Sequence, residues 1–212
     1  GLLERDCDRM IRNGRVIWTS CMVSCGDADG AVTGNTRRFG ASLEKIKQVV
    51  DVRKGEIMFG LNMIVHKGRT IFVGDTSVHE YPTSEQMAEM AISTARVVRL
   101  FGFDPKVAFV SHSTFGQPLT SRTKHIRNAV DILKEKKVDF EFDGDMQPDV
   151  ALNSEYEELY PFAKIVGKAN ILIMPGQHSA AISYKLMKAI GDAKVIGPLL
   201  IGLGLPIEIA PL

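Results

Sequence analysis

Apolar positions along the chain change period repeatedly, and each change marks a new element. Ile11 to Cys25 carries apolar residues at mostly helical spacing. "GAVTG" (Gly30 to Gly34) reads as a short buried strand ending in the polar loop "NTRRFG", after which Leu43, Ile46, Val49 and Val50 form the stripe of another helix. Two strand-like runs follow, Glu56 to Val65 and Thr70 to Gly74, joined by "HKGR", a hairpin with Gly68 at the strained turn position. A hairpin makes this pair antiparallel, so the sheet is not purely parallel.

Thr83 and Gln86 have capping-box spacing and open a long helix. Met87, Met90, Ala91, Thr94, Val98 and Phe101 hold one of its faces, and Gly102 stops it. Strand and helix then alternate: strand Val107 to Val110, helix Arg122 to Lys136, strand Val138 to Phe142, helix Asp149 to Tyr160, strand Asn170 to Met174, helix Ala180 to Ile190, and a last apolar segment. Alternation at these lengths predicts right-handed crossovers and helices on both faces of a sheet. The class is α/β.

Ligands of open α/β sheets bind beyond the carboxyl ends of the strands, where loops lead into helix N-termini with unpaired N–H groups. Three segments fit: "GNTRR" with Asn35, Thr36, Arg37 and Arg38; "SHSTFGQP" with Ser111, Ser113, Thr114 and Gly116; and "PGQHSA" with Gly176 and Ser179. Hydroxyls, glycines and backbone donors in all three point to a phosphate-bearing ligand. Neither Ser111 nor Ser113 has the flanking glycines of a nucleophile elbow. His112 adjoins both, yet neighbouring residues of an extended chain point to opposite faces, so adjacency does not pair it with either serine. No catalytic residue is assigned, and a structural loop remains the competing reading.

Asp143, Asp145 and Asp149 in "FDGDMQPD" suit a hard cation but lack calcium-loop spacing, and a solvated turn is the better reading. "GDADG" (Gly26 to Gly30) has no glutamate at its far end, and the five histidines show no zinc spacing. No metal site is expected. Neither GxGxxG nor GxxxxGK[ST] occurs, so the chain has no nucleotide fingerprint of its own.

Composition narrows the partners. With 26 basic and 25 acidic side chains, nothing drives the chain toward nucleic acid or an anionic membrane, and no stretch is apolar enough to cross a bilayer. A small metabolite or another protein is expected instead. Cys7, Cys21 and Cys25 are odd in number and follow no signal peptide, which suits a reducing cytoplasm, and Cys21 and Cys25 at helical spacing read as core. Tyr184 and the helical methionines read as packing. The chain opens at Gly1 within a helical pattern, so a piece of a longer protein is expected.

"GDADGAVTG", "VAFVSHSTFG", "FDGDMQPDVAL", "ANILIMPGQHSAAISYKLMKAIG" and "IGPLLIGLGLPI", in that order, resemble the phosphotransacetylase family over nearly the whole chain. "LLERDCDRMI", "CMVSCGDADGAVTG" and "LLIGLGLPIEI" are similar in particular to the C-terminal phosphotransacetylase-like domain of large bacterial NADP-dependent malic enzymes. The resemblance implies a two-lobed, three-layer α/β/α fold with a mixed sheet, akin to isocitrate and isopropylmalate dehydrogenases. Residues 1–55 with 200–212 would be the remnant of the first lobe and 56–199 the second. It also implies acetyl-CoA or a related CoA ester as ligand, held by the residues named above, and a homo-oligomer, either a dimer or a higher assembly. N-terminal malic enzyme domains would carry NADP and a divalent metal, with no cofactor in this part.

Active members of the family hold acetyl phosphate with arginines, one on the helix after the "TG" loop, and with a Ser-Arg pair and an aspartate beyond the final "P-I" segment. This sequence has Glu44 at the helix position, Pro211 and Leu212 where Ser and Arg belong, and no aspartate after them. A carboxylate in a partly buried phosphate site would repel the substrate, unless Arg37 or Arg38 compensates. The resemblance therefore implies a non-catalytic domain that senses acetyl-CoA, with an active phosphate acetyltransferase as the alternative.

Overall fold

The computed structural model describes residues 3–211. Gly1, Leu2 and Leu212 lie outside the described residues, and so do the expectations that rest on them. In chain order the first elements are α1 (Glu4–Asn13), α2 (Arg15–Cys25), β1 (Ala31–Gly34), α3 (Phe39–Ile46), β2 (Phe59–His66), β3 (Arg69–Gly74) and α4 (Ser84–Leu100). The others are β4 (Lys106–Val110), α5 (Ser121–Lys136), β5 (Glu141–Met146), α6 (Pro148–Leu152), β6 (Ile171–Ile173), α7 (Gln177–Ile190), β7 (Lys194–Ile201) and β8 (Ile207–Ala210). They form two compact units, Gly1–Met58 with Gly197–Leu212, and Phe59–Ile196.

In the first unit the helical run ending at Cys25 is broken at Gly14, whose backbone is extended. A Cβ there would lie 2.6 Å from the Met10 carbonyl oxygen, so only glycine lets α1 and α2 meet so closely. β1 and β8 pair in parallel from Ala31 opposite Ile207 to Gly34 opposite Ala210. Val16, Ile17 and Val23 of α2, Leu43 and Ile46 of α3, and Ile207 and Ile209 of β8 are buried. The cysteines are not core: Cys21 is half-buried and Cys25 exposed, because the buried stripe of α2 runs through Val16, Ile17, Ser20 and Val23. Partial burial, with Cys25 and Cys7 nearby, pushes the Cys21 thiol pKa up.

The second unit is built on sheet strands in the order β5-β4-β6-β3-β2. β2 and β3 pair antiparallel across a two-residue turn, Lys67 and Gly68, both with positive φ as the I′ geometry demands. β3, β6, β4 and β5 pair in parallel, so the sheet is mixed and the α/β class holds. Ile71, Val73, Ala108 and Val110 join Val150, Ala151, Ile165 and Ala180 in one apolar cluster. The alternating residues Phe72, Val107 and Phe109 are also buried and point to the opposite face, where α4 and α5 pack. The capping box of α4 is present, with the Thr83 hydroxyl accepting from the Gln86 N–H and the Gln86 side chain from the Thr83 N–H. Gly102 ends that helix at φ +82°. Phe101, just past the helix, is 46% exposed, yet its ring meets the buried Phe72 ring at 5.8 Å.

Two elements depart from the expectation. The strand expected at Val138 to Phe142 lies later, at β5, because parallel pairing with β4 sets Lys106 opposite Glu141 and Val110 opposite Met146. "FDGDM" is thus strand rather than a solvated turn, and Asp145 is fully buried. The helix expected from Asp149 to Tyr160 stops at Leu152. Asn153 takes an extended conformation there, and its side chain accepts from the Glu155 N–H to start a short 3₁₀ turn.

Candidate functional site

Register places three loops at one edge of the larger sheet. Gly74 ends β3 opposite Ile173 of β6, and Phe109 of β4 also lies opposite Ile173. These strands run parallel, so the loops after β3, β4 and β6 leave from the same carboxyl edge, where such sheets bind ligands. Sequence reasoning found the loops after β4 and β6. It passed over the one after β3, because that strand presents itself as half of a hairpin.

Between the first turns of α4, α5 and α7 lies a hollow of about 510 Å³, lined by Tyr81, Thr83, Arg122, His125, Gly176 and Ser179 among others. The chain passes through it closely at Gly176, where a Cβ would collide with the Glu80 carbonyl oxygen. The Ser179 hydroxyl donates to the Gly176 carbonyl oxygen at 2.8 Å. The Arg122 guanidinium stands 5.9 Å over the Tyr81 ring. Glu80 pairs with His178 at 3.1 Å. Exposed Glu85 is held below the usual carboxylate range by its own backbone N–H, then by the Thr83 side chain and the His125 charge.

His125 is tied down at both ring nitrogens. Nε2 donates to the Pro82 carbonyl oxygen at 2.8 Å, and Nδ1 meets the Ser84 hydroxyl at 3.0 Å. That hydroxyl also donates to the His125 carbonyl oxygen at 2.8 Å. Gly176 and Ser179 were expected at a ligand site. Tyr81, Arg122, His125 and His178 were missed, although Arg122 and His125 share a face of the first turn of α5 by their three-residue spacing.

The serine loop is organised from below. Ser113 is fully buried, and its hydroxyl donates to Asp145 Oδ2. Ser111, also buried, stands 3.0 Å from the Ser113 oxygen and donates to it, since the Ser113 proton is already committed. Asp145 further accepts from the Gly116 N–H at 3.3 Å, and its backbone oxygen from the Phe115 N–H at 2.7 Å. Gly116 needs to be glycine, with φ +85° and the Arg127 guanidinium where a Cβ would go. Thr114 accepts from the Gln147 N–H at 3.3 Å. Ser111 and Ser113 therefore turn inward and are not free donors at the surface. His112 is exposed and makes no contact with either hydroxyl among the described residues.

In the other unit, Asn35, Thr36 and Arg37 line a separate hollow of about 610 Å³ with Arg15 and Thr19 of α2, which sequence reasoning also missed. Asn35 reaches it at φ +59°. Arg38 is the N-cap residue of α3 and does not line the hollow. Glu44 is 70% exposed and pairs with Lys47 at 3.4 Å, so its charge is solvated rather than partly buried.

A buried carboxylate stands behind the loop after β3. Asp75 accepts from the backbone N–H groups of Gly60, Ser77, Val78 and His79 and from His79 Nδ1 at 2.8 Å. Among the described residues no group of three His, Cys, Asp or Glu side chains is placed to hold a metal. Asp143 instead accepts from the Gly144 and Lys164 N–H groups.

The family model for phosphate acetyl/butaryl transferase matches residues 1–211. The chain belongs to the phosphate acetyl/butaryl transferase family. It is 44% identical over 210 residues to the NADP-dependent malic enzyme of Rhizobium meliloti, a match that spans 99% of this chain and 28% of that protein. To the phosphate acetyltransferase of Clostridium acetobutylicum it is 32% identical over 218 residues, 98% of this chain and 65% of that one. A phosphotransacetylase from Streptococcus pyogenes superposes with a TM-score of 0.86 at 26% identity, covering 98% of this chain and 70% of that chain. The chain thus spans less than a third of the malic enzyme it matches. Within this family fold, no described helix is long and apolar enough to cross a membrane.

Proposed function

We propose that this chain is the acetyl-CoA-sensing, self-associating regulatory domain at the C-terminal end of a cytoplasmic NADP-dependent malic enzyme, whose other domains carry NADP, a divalent metal and malate decarboxylation. The carrying observation is a hollow at the starts of α4, α5 and α7 that presents Arg122, together with a serine loop whose hydroxyls are turned inward. The hollow offers a phosphorylated ligand Arg122, His125 and the start of three helices. The loop offers no accessible nucleophile, since Ser111 and Ser113 are buried with their hydroxyls turned inward. The Ser84 and His125 contact does not supply one either, because Ser84 is buried and donates to a backbone carbonyl.

The stripe Ile182, Leu186 and Ile190 on α7, exposed at 58%, 53% and 84%, supports self-association. Regulation requires that acetyl-CoA bind one arrangement of the assembly better than another.

A working phosphate acetyltransferase is the second reading, favoured by likeness to the Clostridium and Streptococcus proteins. Mixing the chain with acetyl phosphate and coenzyme A decides between them. Acetyl-CoA formed above background would overturn the sensor reading, whereas calorimetric binding of acetyl-CoA without turnover supports it.

A further inference from the structure

We infer that His79 is a phosphoryl-accepting histidine, held at Nδ1 by the buried carboxylate of Asp75 and open at Nε2 to a small acyl phosphate. The inference goes beyond the regulatory reading and does not depend on acetyl-CoA binding.

The loop after β3 carries the geometry. Asp75 is fully buried, and its Oδ1 accepts from the N–H groups of Gly60, Ser77 and Val78 at 3.0, 2.7 and 3.1 Å. Its Oδ2 accepts from the His79 N–H at 2.6 Å and from His79 Nδ1 at 2.8 Å. Four backbone donors fix the carboxylate, so it cannot turn away from the ring. Both of its oxygens act as acceptors, which puts the ring proton on Nδ1 and leaves the lone pair on Nε2. The Gln177 N–H also donates to the His79 carbonyl oxygen at 3.0 Å, so ring, N–H and carbonyl are all held.

No other described histidine combines these features. His125 has both ring nitrogens engaged. His178 meets Glu80, but those side chains are 71% and 60% exposed, so solvent competes for the contact. His66 and His112 have no carboxylate within ion-pair distance among the described residues. The His79 side chain is 19% exposed although the carboxylate behind it is shut off, and among the described residues Nε2 has no hydrogen-bond partner.

An imidazole held in this way is a nucleophile. When Nε2 attacks the phosphorus of an acyl phosphate, an N–P bond forms. The bond from phosphorus to the acyl oxygen breaks, and its electron pair leaves with the carboxylate. The ring keeps its Nδ1 proton and gains positive charge, opposite which Asp75 already stands. A carboxylate departs without taking a proton, so the step needs no general acid. Only a small donor reaches a ring that is mostly covered.

Incubating the chain with acetyl phosphate, then measuring intact mass and mapping peptides at alkaline pH, tests the inference. One acid-labile phosphoryl group on His79 is expected, and His79→Gln should lose it. Asp75→Asn keeps an acceptor for Nδ1 without the charge, so it should label at least about tenfold more slowly, with circular dichroism checking that it folds. Long-range ¹H–¹⁵N NMR of the unmodified chain gives a readout free of any variant, and should show a proton on Nδ1 and a lone pair on Nε2. A proton found on Nε2, the absence of a phosphoryl group from His79, or an acetyl group there in its place overturns the inference. Acetyl-CoA sensing is untouched by any of these results, since calorimetry with acetyl-CoA tests it separately.

Discussion

The Ser113 hydroxyl donates to the carboxylate of Asp145, 32 residues later in the chain, and both residues are fully shut off from solvent. One contact thereby ties the loop after β4 to its neighbour strand β5. The same carboxylate takes the Gly116 N–H, so the loop is held at its middle and at its glycine. Among the described residues Asp145 Oδ1 has no hydrogen-bond partner, and Ser113 and Gly116 are the donors to this buried carboxylate.

Ser113→Ala should therefore destabilise the chain by about 1–3 kcal/mol, the cost of stripping a donor from a buried carboxylate. Urea unfolding monitored by circular dichroism measures it. Stability equal to wild type would mean that the loop is not anchored through this bond.

Gly176→Ala forces a methyl group against the Glu80 carbonyl oxygen. Overpacking of this kind should cost about 1–3 kcal/mol and, if the hollow holds acetyl-CoA as proposed, weaken that binding by distorting its wall. Calorimetry beside thermal melting separates the two effects, and unchanged values in both would show that the backbone yields freely.

Glu208 sits half-buried on β8, and burial raises its pKa despite the hydrogen bond its Oε2 accepts from the Leu200 N–H at 2.8 Å. Its folded pKa lies above its unfolded one. The associated stability is thus fully present below the unfolded pKa and is lost as pH rises through the folded pKa. Glu208→Gln keeps an acceptor for Leu200 without the charge, so it should melt higher than wild type at neutral pH. The gap should close near pH 4, and a gap that widens on acidification would contradict the sign.

Leu186→Glu places a charge in the middle of the exposed Ile182, Leu186 and Ile190 stripe. If that face joins copies of the chain, sedimentation velocity should show a smaller species than wild type, with circular dichroism unchanged. An unaltered sedimentation coefficient would show that this stripe joins no copies of the chain.

Much of the fold was legible along the chain. The period of 3.6 in Met87, Met90, Ala91, Thr94 and Val98, closed by Thr83 and Gly102, located α4 without help from anything distant. The turn at Lys67 and Gly68 did the same for the hairpin. Local rules sufficed there because the decisive interactions run between residues a few positions apart.

Local rules failed where a distant partner decided the outcome. "FDGDM" has turn composition, yet pairing with β4 makes it strand, and only the Ser113 hydroxyl shows why an aspartate can be buried there. The serines of "SHSTFG" could be placed on a loop from sequence, but whether their hydroxyls faced a ligand or the interior depended on Asp145.

By itself, then, the amino-acid sequence determined the α/β class, the mixed sheet and most of the order of elements from β1 to α7. Periodicity and caps are short-range properties, so one chain segment contains all the information they need. Tertiary structure alone decided that Arg122 and His125 meet Gly176 and Ser179 around one hollow. These residues belong to helices that only the sheet order brings together, and their charges act through space rather than along the chain.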